Sequence, residues 1–181
     1  MADSGLVRVA ITGAVSFAPV GTEAPTDAST PLDSEDWRDV GYLSEDGVVE
    51  ARERSTENII AWQNASVVRT VTTEATITVN FTMIESNPNS LALFYGEEVS
   101  GVDGSVEITP ANSGGRRAVV IDYADGESLI RLYLPEAEVT EVGEANHTSN
   151  AAIGYEVTLT GYPGPDGWSA KKWFSDLVEQ A

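Results

Sequence analysis

The stretch at residues 75–84 constrains this chain more than any other. Ala75, Ile77, Val79, Phe81 and Met83 fall on one register, and Thr76, Thr78, Asn80 and Thr82 on the other. Successive side chains of a strand point to opposite faces, so strict alternation marks a strand with one dry face and one wet face. A helix would scatter the same apolar residues around its axis. Such a strand needs partners for its edges and a core for its dry face. Val, Ile and Thr supply 45 of the 181 residues, side chains that suit a pleated, half-buried surface. The expectation is a mainly β domain, large enough for a substantial core.

Other segments extend this reading. Val7, Val9 and Ile11 alternate and predict an opening strand that ends at Gly13, followed by a short apolar run at 14–18. Residues 19–37 carry Pro19, Gly21, Pro25 and Pro31 and predict a long loop. Gly41-Tyr42-Leu43, Glu45-Asp46-Gly47 and the run at 48–57 read as a charged hairpin turned at Asp46-Gly47. Residues 58–62 and 67–74 add two strands. Asn87 as cap, Pro88 in the first turn and Gly96 at the end bracket a helix over 88–95, with Leu91, Phe94 and Tyr95 on one face. Strands are expected again at 106–109, 118–123, 128–134, 136–142 and 153–162, with turns at 112–115 and at Asp125-Gly126. Pro163, Gly164, Pro165 and Gly167 stop the last strand. Residues 1–162 therefore read as one domain and 163–181 as a C-terminal arm. Its aromatics Trp168, Trp173 and Phe174 either fold back on the core or dock on a neighbour; both readings stand.

Charge narrows the function. Ten Lys and Arg stand against 29 Asp and Glu, a formal charge of −19. Tight nucleic-acid binding needs basic groups that displace counterions from phosphate, which this chain lacks. An anionic membrane surface is disfavoured for the same reason. There is no cysteine, which removes disulfides, thiolate metal sites and cysteine nucleophiles. The first residues have neither a basic nor an apolar stretch, and no apolar run approaches the ~20 residues of a membrane helix. A cytoplasmic origin without a leader is expected.

Candidate chemistry is thin. Asp33, Glu35 and Asp36 fit no calcium loop and read as solvated charge. Asp122, Asp125 and Glu127 read as turn residues. His147 lies in a polar loop, and Gly114-Gly115-Arg116-Arg117 reads as a turn followed by ion-pairing arginines. No catalytic residue, metal or cofactor is expected, and the chain does not read as an enzyme.

As an ordered set, several runs resemble the major tail tube proteins of long-tailed bacteriophages, above all of phages infecting actinobacteria. They are Gly13-Ala14-Val15 on to Pro19-Val20-Gly21, Val40-Gly41-Tyr42-Leu43-Ser44-Glu45-Asp46-Gly47-Val48, Arg54-Ser55-Thr56-Glu57-Asn58-Ile59-Ile60-Ala61-Trp62 and Val68-Arg69-Thr70-Val71. Phe81-Thr82-Met83-Ile84-Glu85-Ser86-Asn87-Pro88 completes the set, followed by Leu91 to Gly96. The likeness spans roughly residues 5–160.

The resemblance implies a β-sandwich or half-barrel with one short helix and extended loops, similar to the type VI secretion tube protein. It implies hexameric rings stacked into a tube, with four strands per subunit joined into an inner β-barrel that conducts the genome. The implied partners are the chain itself and other tail proteins such as tape measure, baseplate or tip and terminator. Double-stranded DNA would pass transiently and without specificity, and no membrane or cofactor is involved. The implied location is the virion tail, after assembly in the host cytoplasm. On this reading Thr76, Thr78, Asn80 and Thr82 face the lumen. The loop at about 19–37 bridges rings, mobile in the monomer and ordered in the tube. Glu50, Arg52, Glu53, Arg54 and Glu57, with Trp168, Trp173 and Phe174, supply subunit and ring contacts. The alternatives are a β-sandwich module that binds a surface sugar or protein, and a hydrolase using Asp122 with Asp125 or Asp33 with Asp36.

Overall fold

The computed structural model describes residues 6–177. Its strands are β1 (Thr12–Pro19), β2 (Arg38–Asp39), β3 (Leu43–Ile60), β4 (Val67–Met83), β5 (Arg117–Asp125), β6 (Ser128–Val142), β7 (Tyr155–Tyr162) and β8 (Lys171–Phe174). One helix, α1 (Pro88–Tyr95), follows β4. All strands join one antiparallel sheet in the order β2-β1-β5-β6-β7-β4-β3, with β8 also on β6. β8 and β7 share β6 in succession: β8 lies beside residues 130–133 and β7 beside 136–142.

From Ile77 on, the dry face of β4 is the one read from the sequence; Ala75, expected on it, is exposed because β7 no longer supports β4 there. Ile77, Val79, Phe81 and Met83 are buried, and the residues between them are half-buried on the other side. They share one core cluster with Val15 and Phe17 of β1, Val119 and Ile121 of β5, Leu132 and Leu134 of β6, Val157 and Leu159 of β7 and Leu93 of α1. Strands distant in the sheet order thus meet in one core, so the sheet curls upon itself as a half-barrel. β5 is covered on both faces. Ala118 and Val120 look the other way, into a second cluster with Ala18, Trp37 and Tyr133. This explains why residues 118–121 form an unbroken apolar run rather than an alternating one.

α1 has the expected bounds. The Asn87 side chain accepts from the Asn89 and Ser90 amides, both at 2.9 Å. Ser90 Oγ accepts in return from the Asn87 amide at 3.1 Å, which closes a capping box with serine at its third position. Gly96 ends the helix at φ 75°, a conformation that a side chain would strain.

Several strands differ from expectation. Residues 7–11 are not a strand, and Val7, Val9 and Ile11 are exposed. β5 ends at Asp125, so the amides of this segment reach that strand at Ile11, on Ala124 O, and at Val9, on the Asp125 carboxylate, each at 3.0 Å, while the Arg8 side chain pairs with Asp176. Alternation without an edge to pair with does not make a strand. The strand that forms instead is β1, with Gly13 inside it. Asp46-Gly47 is not a hairpin turn. Pairing jumps there from Leu43–Met83 to Val48–Phe81, so the dipeptide forms a bulge inside one long strand, with Gly47 at φ 68°. The turn lies at 61–66, and the short strands expected at 48–57, 58–62, 67–74 and 75–84 merge into β3 and β4. β6 likewise runs through Pro135, where its register to β5 shifts and a missing amide costs no ladder bond. No strand forms at 106–109.

The loop after β1 is fastened to its own sheet. The Asp27 carboxylate accepts from the Ser29 and Thr30 amides at 2.7 and 2.6 Å and from both hydroxyls. These bonds hold it well below the usual carboxylate range. Arg131, 5% exposed, makes a two-pronged pair with Asp122 at 2.6 and 2.9 Å. Its remaining nitrogen donates to Thr30 O at 2.7 Å and Asp27 O at 3.2 Å. Asp122 is therefore not a turn residue, as the sequence suggested, but half of a clamp within β5.

Replacing Arg131 with Met should cost about 3–5 kcal/mol in urea unfolding, because Asp122 and two loop carbonyls lose their donor. Amides at 26–32 should exchange faster than those of the core; unchanged protection there would refute the clamp. The Asp27 contribution has a definite sign. Its folded pKa is depressed, so the stabilisation is complete above the ordinary value near 4 and fades as pH falls toward the folded value. A carboxyl resonance of Asp27 that remains that of the ionised form at pH 3 would bear this out.

Candidate functional site

Two surfaces stand out, a broad polar face and a projecting arm. The polar face is the back of β6, β7, β4 and β3, opposite the core. Thr78 pairs with Thr160, Asn80 with Thr158, and Thr82 with Glu156. On β3, Val49, Ala51 and Glu53 lie across from Asn80, Thr78 and Thr76. On β6, Glu138 and Glu141 lie across from Thr160 and Thr158. Many of these groups satisfy one another. Asn80 Nδ2 donates to Glu156 and to Thr158 Oγ1, each at 3.0 Å, and the Thr140 and Thr160 hydroxyls lie 2.9 Å apart. Thr78, Asn80 and Thr82 therefore share one face with a second threonine row on β7 that the sequence reading missed. Thr76 lies just past the β7 pairing, at the root of the arm.

Positive charge on this face is confined to a margin. Arg116 donates to Glu136 at 2.7 Å and lies 4.2 Å above the Tyr162 ring. Arg117 is drawn under the sheet beside Phe17, 4.8 Å from its ring, where burial lowers its pKa. The glutamates at 53, 136, 138, 141 and 156 thus dominate the face.

The arm is the outer half of the β3–β4 ribbon. β7 supports β4 only from Ile77 onward, so the ten residues at 67–76 pair with β3 alone. At about 3.3 Å per residue they reach roughly 33 Å beyond the body. Residues 52–60 are exposed without exception. At the tip Ile59, Ile60, Val67 and Val68 are exposed, and Trp62 is 97% exposed. Asn64 and Ala65 turn the tip with φ of 66° and 49°. An alanine in that region costs about 1–2 kcal/mol. The tip is also free of acid: residues 58–73 contain none, in a chain with 29. That gap was the signal in the sequence that could have found it.

The residues expected at interfaces divide. Arg52, Glu53, Arg54 and Glu57 lie exposed on the arm. Arg52, Arg54 and Arg69 make none of the ion pairs found among the described residues. Glu50 is held by Lys172 of β8 at 2.5 Å. Trp168 and Trp173 fold back on their own sheet, 6.0 and 6.4 Å from the Tyr133 ring. Phe174 is 39% exposed and remains the outward-facing member of the three. The described part of the 163–181 segment is thus paired into the sheet through β8.

The acidic residues that the sequence singles out are engaged in local bonds. Asp33 caps a local turn through the Glu35 amide at 3.0 Å, and Asp122 is committed to Arg131. Asp103, another turn carboxylate, is lowered to about 2 by the Ser100 and Ser105 hydroxyls and the Ser105 amide. Among the described residues no three acidic or histidine side chains are grouped to hold a metal. No helix among them is long and apolar enough to cross a membrane.

A family model described as "Phage tail tube protein" matches residues 1–181. Among solved structures, the chain is similar to one from the cryo-EM structure of the anti-feeding prophage baseplate, 6-fold symmetrised. The identity is 14%, the match covers 95% of this chain and 97% of that one, and the TM-score is 0.43. No curated protein matches.

The arm tip touches nothing else in the described chain, so replacing Trp62 with Ala should shift unfolding free energy by less than about 0.5 kcal/mol. A loss of 2 kcal/mol or more in urea titration would mean that the tip packs on its own body.

Proposed function

The chain belongs to the phage tail tube protein family, a structural component of the virion tail, and from that premise we propose that six copies close into a ring, that rings stack into a tube, and that the polar face lines its bore. The observation that carries this reading is the face itself. Four neighbouring strands turn threonine, asparagine and glutamate to one side, while their other side is dry core. A sheet that is wet on one face and buried on the other suits the wall of a water-filled channel.

Charge supports the same reading. DNA moving along a bore must not adhere, and an acidic wall repels phosphate. Six copies multiply the −19 of each chain, and a narrow bore concentrates the field. Screening reaches about 8 Å at physiological salt, so only acids at the wall count; on this face they are the glutamates of β3, β6 and β7. In this role the chain is a structural subunit and not an enzyme. It assembles in the host cytoplasm with itself and other tail proteins, among them tape measure, tip and terminator. The surface-binding alternative rested on the C-terminal aromatics, and two of those three pack on the chain's own sheet.

Negative-stain microscopy of the concentrated chain, beside its mass in solution, should show hollow tubes of sixfold rings. A clean monomer at every concentration, with the other tail proteins present, would overturn the reading. Thr78→Arg with Thr160→Arg should leave tubes intact and slow genome ejection about tenfold, the scale on which charged channels alter rates. An unchanged ejection rate would place this face away from the bore.

A further inference from the structure

The half-barrel has an open mouth, and charged side chains stand on its inner face at both sides of the gap. On β3, Glu50 lies across from Val79, Arg52 from Ile77 and Arg54 from Ala75, positions that follow the dry face of β4. On β8, Lys172 lies across from Leu132, a core residue of β6. Directly opposed residues of neighbouring strands share a face, so Glu50 and Lys172 both point to the core side of the sheet. A charge placed there is costly unless it finds a partner. These two find each other, Lys172 Nζ donating to Glu50 at 2.5 Å across 122 positions of chain.

The two ends of this contact are held very differently. β8 is fixed. It pairs with β6 over residues 130–133, Trp173 packs 6.4 Å from the Tyr133 ring, and Ser175 Oγ accepts from the Leu129 amide at 2.8 Å. Asp176, just beyond, pairs with Arg8. β3 has no such anchorage. Its ladder runs to β4 alone, and the arm leaves the body at the Arg52–Ile77 pair, where β7 stops supporting β4. Among the described residues, Glu50 makes the one side-chain hydrogen bond from β3 to an element other than β4. Between β8 and the root of the arm lies a cavity of about 820 Å³, lined by Ile77, Leu132 and Ala170 together with Arg52 and Arg54. Open space thus fills the angle between post and arm, where packed side chains would resist bending. A two-stranded ribbon also twists more than a strand inside a sheet.

We propose that Lys172 and Glu50 form a bolt across the mouth of the half-barrel and set the angle at which the arm leaves the body. The fixed β8 is the post, and the arm is held to one direction whatever surface it meets. Glu50 sits two residues from the point of departure, so a small shift there is magnified along the roughly 33 Å of ribbon beyond it. The pair is sheltered. Its side chains are 31% and 25% exposed, and Lys172 lies 5.6 Å from the Tyr123 ring of β5. Water and salt therefore weaken it less than a pair on open surface.

The chain has no native cysteine, so spin labels go only where they are placed. Ser66→Cys at the arm tip and Glu127→Cys at the β5–β6 turn, both exposed, report the direction of the arm as a distance distribution in pulsed EPR of the dilute chain. A narrow distribution is expected with Glu50 and Lys172 in place. Glu50→Gln, which leaves β8 untouched, and Lys172→Glu, which sets two acids face to face, should each widen it roughly twofold. The exchange E50K/K172E should narrow it again. Damage to β8 alone would be neither reproduced by Glu50→Gln nor repaired by the exchange. A distribution already as wide in the unaltered pair, one unchanged in both single variants, or one that the exchange does not restore would overturn the bolt.

Discussion

Backbone hydrogen bonding is the demand on which the rest of this molecule depends. A strand in a sheet interior has both edges satisfied, and β5, β7 and the body half of β4 meet that condition. β2 closes one end cheaply, as two residues beside β1. The other end is not closed. β3 leaves 18 residues of open edge, and the outer half of its hairpin has no third strand and no core. A free two-stranded ribbon is marginal in water. Its length, exposed apolar tip and strained turn are costs that the isolated chain does not recover.

Charge divides the arm from the body. The arm at residues 51–76 carries three arginines against three glutamates, so the whole excess of acid lies elsewhere. Elsewhere the arginines are mostly spent inside the chain: Arg131 on Asp122, Arg116 on Glu136, Arg38 on Glu98. The acidic excess of the chain is thus carried by its body and not by its arm.

The parts of this fold legible in the sequence are those set by local rules. The alternation of β4 depends only on which face is buried, and the bounds of α1 depend on Asn87, Pro88 and Gly96, all local. The segmentation of the long strands was not legible. Asp-Gly serves a tight turn and a bulge equally well, because both need a positive φ, and only the partner strand decides between them. Val7, Val9 and Ile11 have the pattern of a strand and lack the edge that would make them one. Residues 19–37 read as a free loop because nothing within them shows Arg131, roughly a hundred positions away, whose guanidinium binds two of their carbonyls. The polar face was half legible: Thr76, Thr78, Asn80 and Thr82 stood out, while their continuation on β7 required the sheet order.

On the proposed tube reading, the composition of that face follows from what a smooth wall requires. Lysine or arginine there would bind phosphate, and a row of glutamates on every strand would repel itself within a subunit as strongly as it repels DNA. Threonine avoids both costs. It is β-branched and favours a strand. Its hydroxyl pairs with a neighbour across the ladder, as Thr140 does with Thr160, and adds no net charge to the face. Asn80 does more, because its amide donates to Glu156 and fixes that carboxylate on the face while leaving its charge in place. The result is a surface of neutral threonine rows with acids set among them, Glu138 and Glu141 on β6, Glu156 on β7 and Glu53 on β3.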